Sequence, residues 1–162
     1  MNSWMTDLPW SEINFFANKH TLNPNWIAAV IMTESGGNQW ATRFEPGWKY
    51  FYESRKDIAH NLGITVETET AHQQTSWGLM QVMGAVAREN GYFGYLNAMA
   101  EIMCGLKIGC ALLEKHYKKY GDIKDAVASY NAGSVRKTPG GLYVNQKHVN
   151  TFDMFLRTLE KN

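Results

Sequence analysis

The sequence predicts a mainly α fold with at most a small β element in its central region. Three observations predict it. Apolar residues recur at the 3.6-residue helical period towards both ends of the chain. Glycines and an Asn-Pro pair stop those stretches at helical lengths. A chain of 162 residues, 44% apolar and 19% charged, buries enough surface to offset its ordering entropy. The length suits a single domain over residues 1–162, and no internal repeat or low-complexity linker divides it.

A first helix is expected to start between Pro9 and Ser11 and to carry Ile13, Phe16 and Ala17 inward. It ends before Asn23 and Pro24, a pair that breaks helices. Pro24 then suits the first turn of a second helix, over Pro24–Ser35. At about 100° per residue its Trp26, Ile27, Val30 and Ile31 share an arc of about 140°, and Glu34 falls at about 80°, near the middle. Gly36 and Gly37 stop this helix because glycine takes the left-handed conformation freely.

The middle of the chain reads less regularly. Residues 44–52 are aromatic and suit an extended run, residues 53–62 suit a short helix ended by Gly63, and alternation over 64–70 permits a short strand. Helices are expected again over 79–90, 97–120 and 122–131, the last with Asp122 as its N-cap and Gly133 as its stop. Gly105 and Gly109 allow close packing. Residues 138–141 form a turn, and Val149, Phe152, Phe155, Leu156 and Leu159 are the buried stripe of a C-terminal helix.

Composition excludes several functions. Sixteen Lys plus Arg against fifteen Asp plus Glu leave a net charge of +1 with no basic run, so the electrostatic footprint of a nucleic-acid binder is missing. The longest apolar stretch, residues 26–32, is too short to insert across a membrane. No secretory signal is read at the N-terminus. His20, His60, His72, His116 and His148 are scattered without zinc-site spacing, and no phosphate-cradling glycine loop or nucleophilic serine elbow is found, so neither metal nor cofactor is expected. Cys104 and Cys110 sit about 9 Å apart by helix geometry, beyond disulfide reach, and read as buried thiols.

Glu34 stands out because glutamate is rarely buried unless something pairs with it. Either an arginine or backbone donors satisfy it, or it is a carboxylic acid whose apolar surroundings preserve its proton. A protonated carboxyl group is what glycosidic-bond cleavage needs, since the leaving oxygen departs poorly until it is protonated.

Three separated segments then carry a family resemblance: ESGGN from Glu34, SWGLMQVM from Ser76 and ASYNAG from Ala128. In order and spacing they resemble the lytic transglycosylase SLT-domain family, which is similar in fold to goose-type lysozyme. The likeness runs from about Trp10 to the C-terminal helix. It implies a lysozyme-like single domain acting on peptidoglycan glycan strands. Glu34 would protonate the bond between N-acetylmuramic acid and N-acetylglucosamine. The substrate's acetamido group would steady the positive centre. Glu34 would then take the C6 hydroxyl proton as a 1,6-anhydro ring closes.

The resemblance further implies that Ser35 follows the acid, Ser76 and Gln81 line the cleft, Met80 packs beneath it, and Tyr130 and Asn131 lie opposite. Gly78 would let backbone approach sugar, and Tyr143 would close the cleft. Read without the motifs, Tyr130 is a core aromatic beside Ile123, Ala126 and Val127, Gln81 is a polar helix residue, and Ser76 caps the following helix.

The sequence departs from the family over residues 39–75, a long connection containing RFEPGWKYFYE. Its Glu45 and Glu69 are candidates for a second carboxylate. Inverting hydrolysis needs two acids about 6.5–9.5 Å apart with water between them, whereas a nucleophilic carboxylate needs about 5 Å. Such an acid would make the protein a hydrolytic muramidase. A silent glycan-binding or phage tail module is the alternative of another class. Trp48, Tyr50, Phe51, Tyr52 and Trp77 suit either sugar stacking or a core. The aromatic connection and the bare N-terminus suggest a bacteriophage member, carried in the virion with its proteins as partners or released for lysis. It would reach the periplasmic wall by injection or a holin-like route.

Overall fold

The computed structural model describes residues 3–161. In chain order it contains α1 (Ser3–Asp7), α2 (Trp10–His20), α3 (Pro24–Ser35), β1 (Thr42–Phe44), α4 (Arg55–Leu62), α5 (Val66–Gln73), β2 (Thr75–Trp77), β3 (Val82–Met83) and α6 (Gly84–Glu89). A 3₁₀ turn (Leu96–Ala100), α7 (Ile102–Tyr120), α8 (Ile123–Ala132) and α9 (Gln146–Glu160) follow. The mainly α expectation with a small central β element is met. Where length suggests one core, contacts gather into two compact units, residues 1–37 with 110–162 and residues 38–109, because the central segment buries a set of side chains of its own.

In the first unit, local signals set each helix. Thr21, at φ 53°, closes α2 by returning its N–H to the Ala17 and Asn18 carbonyls. The Asn23 side chain accepts the Asn25 N–H at 2.8 Å, Pro24 opens α3, and Gly36 at φ 62° ends it. Asp122 accepts the N–H groups of Lys124 and Asp125 at the start of α8, a cap worth about 1 kcal/mol. The α3 helix buries Ile27 to Ile31 and packs along α9, whose Val149, Phe152, Leu156 and Leu159 are buried. Phe155 is half-buried, its ring edge-on to Trp4 at 5.4 Å. The short α1 lies ahead of anything the periodicity suggested.

The second unit corrects two expectations. Residues 64–70 are not a strand: the Thr65 hydroxyl accepts the Thr68 N–H and opens α5, whose buried Glu69 and Gln73 stand one helical turn apart. Nor do residues 79–83 belong to a helix. They complete an antiparallel hairpin, with Ser76 opposite Met83 and Trp77 opposite Val82, and β1 pairs with the other edge of β2. Of the extended run expected over 44–52, only Phe44 belongs to a strand, with one further backbone bond from the Glu45 N–H to the Gln74 carbonyl at 2.8 Å. The 53–62 helix is present as α4, ended by Gly63 at φ 66°.

Gly105 and Gly109 do allow close approach. A Cβ on Gly105 would lie 2.5 Å from the Met99 carbonyl oxygen, and one on Gly109 would lie 2.4 Å from the Met80 sulfur. Cys104 is half-buried, Cys110 is buried, and neither forms a disulfide. Among the described residues, no helix is long and apolar enough to cross a membrane.

Candidate active site

Glu34 occupies the last turn of α3, one residue before Ser35 and the glycine stop. Its side chain is 12% exposed, so it is largely withdrawn from water yet still reachable. Instead of an arginine, the Nε2 atom of His148, in the first turn of α9, lies 3.2 Å from its Oε1.

Tyr130 of α8 also bears on Glu34. Burial, then the negative charge of Glu34, then Cys110 push its hydroxyl well above the ordinary tyrosine range, so the group stays a neutral phenol. Its ring meets His116 edge-on at 6.1 Å. The His116 Nδ1 lies 2.8 Å from the Ser129 hydroxyl, and burial lowers the pKa of this imidazole. Glu34, Tyr130 and His148 therefore offer a proton carrier, a phenol and an imidazole within one unit.

The other expected residues of this unit have local duties. Ser35 Oγ donates to the Ile31 carbonyl at 3.1 Å. Asn131 Oδ1 accepts from Asn145 Nδ2 at 2.9 Å, and the same amide donates to the Ala128 carbonyl. The Tyr143 hydroxyl donates to Asp125 Oδ1 at 2.5 Å. Burial and that carboxylate raise its pKa. The 138–141 turn is confirmed by the bonds from Thr138 N–H to Leu142 and from Gly141 N–H to Thr138.

In the second unit, Ser76, Gly78, Met80 and Gln81 meet in the hairpin. Ser76 Oγ donates to Gln81 Oε1 at 2.9 Å and caps no helix. Gln81 Nε2 donates to the Ala41 and Gly78 carbonyls at 2.8 and 2.9 Å, and its own backbone sits at φ 47°. Gly78 stands at φ 71°, where a Cβ would lie 2.2 Å from the Met99 carbonyl oxygen, so its bareness serves backbone packing. Met80 is buried.

The candidate second carboxylates part company. Glu69 is fully buried, with both oxygens taken by Arg88 Nε and Nη2 at 2.9 Å and a further bond from Gln73 Nε2. It can hold no catalytic water, which corrects that expectation. Glu45 is a third exposed and pairs with the exposed Arg43. Trp48 and Tyr50 meet edge-on at 5.7 Å, Phe51 lies under the Arg55 guanidinium, Tyr52 packs on Phe93, and Trp77 packs on His72. Tyr50 is the most open of them.

Sequence reasoning missed His148, which looked like one of five scattered histidines. It directly precedes buried Val149, which sets it beside the α9 stripe without naming what it faces. Trp40, which is exposed, also went unnoticed, and Phe44, read as the start of the aromatic run, is exposed too.

The chain is 25% identical over 125 residues to a protein of Enterobacteria phage PRD1 named "Transglycosylase", covering 77% of this chain. The chain spans 35% of that relative's length. No solved structure matches. The family described as "Transglycosylase SLT domain" matches residues 11–151, which include residues of both units and all three motifs. The mainly α architecture with its three-stranded antiparallel sheet is that of a lysozyme-like SLT domain, and the chain belongs to the transglycosylase SLT domain family.

Proposed function

We propose that the protein is a lytic transglycosylase that cleaves the β-1,4 bond between N-acetylmuramic acid and N-acetylglucosamine in peptidoglycan. The observation that carries this reading is Glu34, a carboxyl group 12% exposed and met by the His148 imidazole at 3.2 Å, in a chain of the SLT family. Glu34 gives its proton to the leaving glycosidic oxygen and, as a carboxylate, takes the C6 hydroxyl proton while the 1,6-anhydro ring closes. One group thus serves as acid and then as base. Tyr130, kept neutral by its burial, donates towards the developing charge.

Ser35, Asn131 and Tyr143 shape the sugar site around Glu34, and the half-buried Gln81 offers a second contact to sugar, its hairpin shaped from within by the buried Ser76, Gly78 and Met80. The exposed rings of Trp40, Phe44 and Tyr50 offer stacking faces for glycan. The burial of Glu69 against Arg88 argues against hydrolysis through that acid. The name of the PRD1 relative supports a phage enzyme working at the cell wall, either virion-borne or for lysis.

Glu34→Gln is the direct test. It is expected to lower glycan cleavage by at least about 10³-fold while leaving stability within about 0.5 kcal/mol. Mass spectrometry of products from the native chain is expected to find anhydromuramyl ends. Reducing ends would replace this reading with a hydrolytic muramidase, and full wall lysis by the variant would reject Glu34.

A further inference from the structure

We propose that His148 is the positioning residue of Glu34. It holds Oε1 and leaves Oε2 as the oxygen that moves the proton. The inference rests on the acid and base role given to Glu34 above.

The geometry is local and specific. His148 Nε2 lies 3.2 Å from Glu34 Oε1, both side chains are largely buried at 17% and 12% exposure, and α9 packs along α3. Catalytic hydrogen bonds are commonly loose in the unliganded state and tighten with substrate. A neutral imidazole carrying its hydrogen on Nε2 donates to Oε1 in both states of the acid, and more strongly once that acid is a carboxylate.

The proton account closes without histidine gaining or losing one. The Glu34 O–H bond breaks, the leaving oxygen takes that proton, and the glycosidic C–O bond breaks. The C6 oxygen then bonds to the anomeric carbon as its proton returns to Oε2. Between these steps the carboxylate is held by the Nε2 hydrogen.

Other charged groups on the packed helices are already engaged. On α8, Tyr130 stays neutral, Asp125 accepts from Tyr143 with Lys137 at 3.9 Å, and Lys124 pairs with Asp153, which also holds Arg157. On α9 itself, Lys147 is exposed. From α3, Glu34 is the carboxylate that faces His148.

Two variants test this. His148→Gln retains an N–H donor, and His148→Ala removes it. Cleavage is measured at pH 7.5 whatever the product, so the outcome does not depend on ring closure over hydrolysis. The Ala variant loses about 10- to 100-fold in kcat with KM unchanged. The Gln variant, which keeps a donor, recovers kcat to within about tenfold of the native chain. Equal losses in the Gln and Ala variants, or native rates in the Ala variant, overturn the proposal.

A measurement independent of activity separates its failure from that of the Glu34 reading. Ring ¹⁵N shifts at pH 8 are expected to report the Nε2–H tautomer in the native chain and mixed tautomers in Glu34→Ala. An Nδ1–H tautomer in the native chain overturns the proposal.

Discussion

Glu34 and Glu69 are both helical acids withdrawn from water, one in each unit, and they differ in their partners. Glu69 is wholly buried and meets a permanent cation through two parallel bonds, with Gln73 adding a third. Arg88 completes the arrangement by donating through Nη1 to the Tyr92 and Gly94 carbonyls, so it ties α5, α6 and the following loop. Gln73 in turn accepts the Tyr52 N–H. Glu34 keeps a narrow opening to water and faces an imidazole and a phenol. A permanently paired acid fixes structure, whereas Glu34 keeps part of its surface open and meets an imidazole in place of a permanent cation.

The largest effect that could break this contrast is structural. Arg88→Met leaves a buried carboxylate uncompensated and is expected to cost about 3–5 kcal/mol, read by urea denaturation. Adding Glu69→Met should recover much of that loss, because two apolar side chains replace the pair. A loss below about 1 kcal/mol in the single variant would remove the structural role of the pair.

On the Glu34 side, Tyr130→Phe is expected to lower kcat about tenfold at constant KM, and an unchanged kcat would make the tyrosine a packing residue only.

The smallest effect sharpens the comparison through one histidine in each unit. Burial lowers the pKa of both His72 and His116. At His72 the nearby Glu69 opposes that shift and Arg88 adds to it. At His116 the nearby Lys115 and Lys119 add to it. Below about pH 6.5 the unfolded chain binds protons that the folded chain resists. Their contribution is thus full above pH 6.5 and lost as pH falls through the lowered folded values. The urea midpoint should decline from pH 7 to pH 5, and His72→Gln with His116→Gln should flatten that decline. A midpoint equally steep in the double variant would count against it.

Where capping and periodicity agree, the sequence was legible. The bounds of α3 follow from Asn23, Pro24 and Gly36, and those of α8 from Asp122 and Gly133. The α9 stripe announced its burial through Val149, Phe152, Leu156 and Leu159. The central segment misled for a physical reason. The alternation of Ile64, Val66 and Thr68 was too short to outweigh the Thr65 cap, and apolar Leu79, Met80 and Val82 mimicked a helix while bonds from Gln81 fixed a turn. Glu34 was legible as an acid on an apolar stripe. The identity of its neighbour was not, since His148 comes from the far end of the sequence and periodicity within one helix says nothing about what faces it.

The hairpin amide has one more consequence. Gln81 satisfies a left-handed backbone and a three-point side-chain lattice at once. Asparagine tolerates that backbone but is one methylene too short, while glutamate has the reach but no hydrogens to give. No single-step replacement meets both demands. Change at this position should therefore travel together with Ser76, making the two a unit of inheritance and not a pair of independent sites.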